Sequence, residues 1–126
     1  MTKTDILVVG GGPGGLTSAY YLRLMGHAVT VYEMLPKLGG MLRYGIPNYR
    51  LPKDRLDDDI QAILDTGIEV KHGMRIGTDI TIQQLREQYD AVLITIGAST
   101  SKKLGLEHED NESVMSAVKF LRDVAH

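Results

Sequence analysis

Apolar residues fall along this chain in two rhythms, short unbroken runs and stripes at helical spacing, and the alternation between them predicts its elements. Residues 5–9 (DILVV) form a continuous apolar run that ends at glycine, as expected of a strand buried on both faces of a parallel sheet. Over residues 14–25, Leu16, Ala19, Tyr20, Leu22 and Leu24 make a broad stripe interrupted by Arg23, with Gly26 as the stop, which predicts a helix. Residues 28–32 (AVTVY) are β-branched and aromatic and predict a second strand. Leu56, Ile60, Ile63 and Leu64 recur at helical spacing through residues 53–66, ended by Gly67, and residues 68–71 make a short strand candidate. Thr81 and Gln84 have capping-box spacing, so TIQQLREQ is expected to be a short helix, and residues 91–96 (AVLITI) a final buried strand. Residues 99–111 are polar and irregular, and residues 113–124 predict a last helix.

Between the first strand and first helix stands GGGPGG, residues 10–15. Each glycine loses about 0.5–1 kcal/mol against alanine in conformational entropy, so such a cluster needs a reason. Gly10, Gly12 and Gly15 fit G-x-G-x-x-G: Gly10 for the tight turn, Gly12 for close approach of a diphosphate, Gly15 for packing of helix on strand. Pro13 has no N–H and a preset φ, which suits a first helical turn. The second strand runs out at Glu33, about twenty residues on, where a carboxylate can accept hydrogen bonds from both hydroxyls of an adenosine ribose. It would repel a 2′-phosphate, which leaves NAD and FAD as the dinucleotides expected in this loop. Strand, glycine turn, helix and strand span one βαβ unit. The expected fold is α/β, a Rossmann-like parallel sheet in the order 3-2-1-4 with flanking helices, forming one domain over residues 1–126.

Composition narrows the chemistry. A formal charge of −2 and the absence of a basic stripe argue against nucleic acid as a partner. Without cysteine the chain builds no disulfide, iron–sulfur cluster or redox dithiol, so an electron carrier must come from outside it. The apolar run at residues 6–9 is too short for a signal-peptide core or membrane span, and a cytoplasmic protein is expected. Asp57, Asp58 and Asp59 are consecutive and point about 100° apart on a helix, so they read as a solvated face and not as a metal site. His27, His72, His108 and His126 have no partner at metal-ligand spacing.

The segment after Glu33 has no helical stripe. GGMLRYGIPNYRLPK, residues 39–53, is an irregular loop punctuated by Gly39, Gly40, Gly45, Pro47 and Pro52. The fingerprint with Glu33, this loop, and YDAVLITIGA at residues 89–98 together resemble the FAD-binding part of the glutamate synthase small subunit family, which includes dihydropyrimidine dehydrogenase and related NAD(P)H-dependent flavoprotein reductases. The resemblance runs from Asp5 to about Leu121, and GIPNYRLPK is its most specific part. It implies that Gly10, Gly12, Gly14 and Gly15 face the FAD diphosphate and Glu33 the ribose. It places Gly40 and Met41 along the ribityl and diphosphate region, Arg50 on the cofactor, and the backbone of Ile76 against adenine. A guanidinium such as that of Arg50 can grip a phosphate in two places, the competing role being a surface pair with Asp54. Thr95, Ile96 and Gly97 stand where the family reads Ala-Thr-Gly, so Gly97 keeps its place and the central threonine is replaced.

The resemblance further implies a second fingerprint, for NAD(P)H, after Gly97, and none follows before His126. The chain is therefore expected to be the first portion of a longer reductase, without the NAD(P)H domain and the later FAD-contacting segment. That reductase would carry electrons from NAD(P)H through FAD to an acceptor, such as an iron–sulfur or other electron-transfer subunit. A homodimer through the open sheet edge at residues 91–96 is a further expectation. Two alternatives stand: a non-catalytic NAD-binding module, and an amine-oxidase- or desaturase-like flavoprotein, against which GIPNYRLPK and YDAVLITIGA argue.

Overall fold

The computed structural model describes residues 5–125; the two ends of the expected 1–126 domain, His126 among them, lie outside the described residues. Strand β1 (Asp5–Val9) is followed by helix α1 (Pro13–Leu24), strand β2 (Ala28–Glu33), a one-turn helix α2 (Met41–Tyr44) and helix α3 (Lys53–Leu64). Then come strand β3 (Glu69–His72), helix α4 (Ile82–Gln88), strand β4 (Ala91–Ile94) and helix α5 (Ala117–Ala125). The sheet is fully parallel in the order β3-β2-β1-β4, as the sequence predicts.

β1 is central, pairing Val8 with Val31 on one side and with Leu93 on the other. Its side chains alternate between two cores. Val8 joins Val29 and Val31 beneath Leu16 and Ala19 of α1 and Leu56 and Ile60 of α3. Leu7 and Val9 face the other way, with Tyr32 and with Leu85 of α4. Both faces of β1 are covered, and its apolar run is unbroken for that reason. The edge strand β3 instead shows Glu69, Lys71 and His72 to solvent and keeps only Val70 against the core.

Several boundaries shift by one to four residues. α1 begins at Pro13 and α3 stops at Leu64, while β3 starts at Glu69. α5 starts after Ser116, whose hydroxyl accepts the Lys119 N–H at 3.3 Å, so residues 113–116, expected to be helical, stay outside α5. α2 is a single helical turn inside a loop expected to be irregular. The predicted capping box is present in full at Thr81 and Gln84.

The expectation of a final buried strand is corrected. β4 ends at Ile94, and Leu93, Ile94 and Ile96 are 38%, 49% and 68% exposed. α4 covers one face of this strand, where Val92 packs near Leu85, but α1 and α3 lie over β1 and β2 and leave the Leu93 side open. Beyond it, the Glu109 carboxylate gathers the backbone N–H groups of Leu104, Gly105 and Leu106 at 2.6, 2.7 and 3.1 Å.

Leu85 is fully buried and Leu93 is not. Leu85→Ala should lower unfolding free energy by about 2–5 kcal/mol in urea titrations, and Leu93→Ala by less than about 1 kcal/mol. The hydrogen bonds from Leu104 first, then from Gly105 and Leu106, hold the Glu109 pKa below its ordinary 4.5. A depressed carboxyl pKa adds stability above the unfolded value that is lost as pH falls through the folded one. Hydrogen exchange of the 104–106 amides should therefore accelerate relative to the sheet once the pH drops below 4.5, and Glu109→Gln should remove that pH dependence.

Candidate functional site

The chain leaves β1 at Gly10, whose φ of +105° favours glycine. A Cβ on Gly10 would strike the Thr95 carbonyl, and one on Gly15 would strike the Gly10 carbonyl. The strand, the helix and the segment after β4 thus meet main chain to main chain. Thr95 fastens the junction: its N–H donates to the Val9 carbonyl at 2.8 Å, and its hydroxyl reaches the Val9 and Gly10 carbonyls at 3.0 and 3.1 Å. Gly11 is confined too, since a Cβ there would run into the Leu38 side chain and Glu33 Oε2.

Gly12 and Gly14 are different. A Cβ on Gly12 would meet only Gly40 Cα, at 3.7 Å, and one on Gly14 would meet nothing within 4 Å. Neither has a positive φ. Both line an open cleft of about 870 Å³ over the carboxyl ends of β1, β2 and β4. The protein's own packing gives no reason for glycine at these two places, so the reason lies in what enters the cleft. Gly12 is the N-cap of α1 and offers no side-chain cap. Its N–H and that of Gly14 have no acceptor among the described residues. Free N–H groups at the positive end of a helix attract a phosphate.

Glu33, at the end of β2, is buried on the same cleft. Its Oε2 accepts the Gly11 N–H at 2.7 Å and its Oε1 the Leu35 N–H at 3.1 Å. Two backbone bonds fix the carboxylate beside the glycine loop. They leave lone pairs on both oxygens, so Glu33 retains capacity for the hydroxyls of a ribose.

The 39–53 loop is pinned against the fingerprint. The Gly39 N–H donates to the Gly11 carbonyl at 2.8 Å, and Gly40, with φ +55°, comes so near that an added Cβ would lie 2.8 Å from Gly12 Cα. Behind it, Arg43 is buried, donates from Nε to the Leu38 carbonyl at 2.6 Å and pairs with Asp57. Asp57, Asp58 and Asp59 are all exposed, as expected of a solvated face, and Asp57 adds a pair with Arg43. Lys53 Nζ donates to the carbonyls of Leu42, Ile46 and Leu51, and its N–H to Asn48 Oδ1 at 3.0 Å. Desolvation, with the Arg43 charge nearby, holds the Lys53 pKa below its ordinary value. The 39–53 loop is thus tied to itself through Lys53, at the end of GIPNYRLPK, and presents Gly40 and Met41 to the cleft.

The structure brings Gly10, Gly12, Gly14, Glu33, Gly40, Met41, Ile76 and Gly97 to the lining of this one cleft. Gly15 lies beneath it, in the junction. Arg50 stays outside the lining, stacked 5.6 Å over the Tyr49 ring and not paired with Asp54. Gly11 and Thr95 escaped the sequence reading: the first occupies a variable place of the fingerprint, and the second was noted only as standing at the first place of Ala-Thr-Gly. Arg75 and Arg122, the two cations among the described residues of the lining, carry no motif signal. Among the described residues, no group of three or more His, Asp or Glu side chains could hold a metal ion.

These features agree with what the chain is similar to. It is 44% identical over 121 residues to the NADP(+)-dependent formate dehydrogenase subunit beta of Moorella thermoacetica, covering 94% of this chain and 17% of that one. It is 40% identical over 120 residues to the glutamate synthase [NADPH] small chain of Bacillus subtilis, covering 95% of this chain and 24% of that one. The chain thus spans a quarter or less of these relatives' lengths. Among solved structures, Mycobacterium tuberculosis FprA in complex with NADPH superposes with a TM-score of 0.88 at 24% identity, over 95% of this chain and 28% of that one, a likeness of fold. The model of the NAD(P)-binding Rossmann-like domain family matches residues 8–91, and the chain belongs to that family.

Proposed function

We propose that this chain is the FAD-binding portion of an NAD(P)H-dependent oxidoreductase, in which electrons pass from a nicotinamide through FAD to an acceptor. The observation that carries the reading is the pair Gly12 and Gly14: bare main chain at an uncapped helix start, open to the cleft, with the Glu33 carboxylate on the same lining. Gly12 and Gly14 would hold the diphosphate by their N–H groups, with Gly10 and Gly15 shaping the turn beneath, and Glu33 would orient the ribose. Gly40 and Met41 would lie along the ribityl chain, Ile76 against adenine, and Gly97 beside the cofactor. Arg50 is left out of this set because it does not line the cleft.

Bound FAD would accept hydride and release electrons, while the chain binds, orients and shields it. The preference for FAD over NAD rests on the 39–53 loop, which extends the cleft beyond a diphosphate and ribose site, and on relatives that are oxidoreductase subunits. Their greater length supports a nicotinamide domain elsewhere in the parent protein, and their names, a subunit beta and a small chain, support a partner subunit, for which an iron–sulfur protein is the expected chemistry. The exposed Leu93 and Ile94 of β4 support pairing with a second copy as the alternative use of that edge. No helix among the described residues is long and apolar enough to cross a membrane, in keeping with a cytoplasmic site of action.

The chain should bind FAD in fluorescence titrations more tightly than NAD; tighter binding of NAD, by a colourless protein, would favour a nicotinamide-binding module instead. Two substitutions separate fold from ligand. Gly14→Ala should leave stability within about 1 kcal/mol, in the stabilising direction expected for alanine in a helix, and weaken FAD binding by about tenfold or more, about 1.4 kcal/mol. Gly15→Ala should cost about 1–3 kcal/mol of stability through overpacking on the Gly10 carbonyl. Equal effects of the two on FAD affinity, with no difference in melting, would overturn the assignment.

A further inference from the structure

Among the described residues, the cleft carries three formal charges, Glu33, Arg75 and Arg122. Glu33 is held by the backbone of Gly11 and Leu35 and forms an ion pair with neither arginine. Arg75 is exposed, on the segment beside Ile76 whose neighbour Met74 bonds to the Glu33 carbonyl, which places it toward the ribose end. Arg122 comes from elsewhere. It projects from α5, one turn after Val118, which also lines the cleft, and α5 packs against α2. The N-cap of α2 is Gly40, the residue that touches Gly12. The path from α5 through α2 therefore leads to the diphosphate end of the glycine loop.

Arg122 is half-buried as a residue, and its Nε is covered and has no hydrogen-bond partner among the described residues. The acidic neighbour on its own helix is already engaged, because Asp123 takes Lys119 at 2.6 Å. Buried donors in native proteins almost always have an acceptor, and a desolvated one without it is unfavourable. A guanidinium offers two parallel N–H groups, the geometry that a phosphate accepts best. The glycine loop supplies only partial charges from the helix, insufficient to balance a diphosphate.

We propose that Arg122 clamps the diphosphate of the bound dinucleotide, delivering from α5 the full positive charge that the glycine loop lacks. The proposal rests on the dinucleotide reading above and assigns to Arg122 the task that the sequence resemblance gave to Arg50. It also gives α5, which has no buried residue, a reason to lie over the cleft: the ligand fastens it.

The test is calorimetric titration of the 126-residue chain, as wild type, Arg122→Met and Arg122→Lys, with ADP, adenosine and FAD. Arg122→Met should weaken ADP and FAD by about tenfold to a hundredfold and change adenosine by less than about twofold, with Arg122→Lys recovering part of the loss. Unchanged ADP affinity in an Arg122→Met protein whose circular dichroism and melting match wild type overturns the clamp. So does an equal loss for adenosine and ADP, which marks a structural role. A wild type that binds ADP but not FAD, with ADP weakened in Arg122→Met, supports the clamp and removes the flavin reading; one that binds neither overturns both.

Discussion

The structure depends on one contact between main chains. Where β1 ends, the Gly10 carbonyl lies directly beneath Gly15 and the Gly10 Cα side faces the Thr95 carbonyl, with no space for a Cβ at either glycine. The Thr95 hydroxyl and N–H close the junction from β4. This contact sets how near α1 begins to the sheet, and so places the uncapped helix start at the carboxyl edge of β1, the position at which open α/β sheets bind ligands. A methyl at Gly15 would push the helix away from β1, and one at Gly10 would push away the segment after β4, opening the junction before any ligand was involved.

Around that junction the two cores act as supports with different reach. The face under α1 and α3 is broad, and through Leu38 and Leu56 it also holds the base of the 39–53 loop. The face under α4 is small, centred on Leu7, Val9, Tyr32 and Leu85. Neither core extends over the outer side of β4, and the exposed Leu93, Ile94 and Ile96 follow from that geometry, not from poor packing of residues meant to be inside. The cleft consequently has a firm floor, made of glycine loop and Glu33, and a lightly held rim, made of residues 96–100 and α5.

The alternation of apolar runs and stripes was enough to place the strands along the chain, because β1, covered on both faces, leaves an unbroken run, β2 a β-branched one, and each helix on the sheet a stripe. Leu56 and Ile60 showed α3 plainly, as did the Thr81 and Gln84 pair for α4. The length of β4 was not legible: AVLITI reads as buried throughout, yet burial is decided by which helix reaches over the edge, a tertiary matter. Among the residues that line the cleft, the fingerprint glycines and Glu33 were legible because the strand–turn–helix pattern they belong to has fixed spacing. Arg50 and Arg122 show the opposite case: both are arginines without a pattern, and only coordinates tell that one stacks on Tyr49 while the other enters the cleft. Thr95 stood in the sequence only as the first place of Ala-Thr-Gly, and that its hydroxyl binds the Val9 and Gly10 carbonyls of the junction is a tertiary matter.

The central claim is that bare main chain at Gly12 and Gly14 is the surface that meets the diphosphate. Its most direct measurement is the backbone amide NMR spectrum of the chain during titration with FAD. The account predicts that the Gly12 and Gly14 amides show the largest saturable downfield shifts, as expected for N–H groups that acquire phosphate acceptors, with Gly11 moving less because its N–H is already held by Glu33. Saturation by FAD with Gly12 and Gly14 unmoved, and the shifts concentrated on other surfaces, would contradict it.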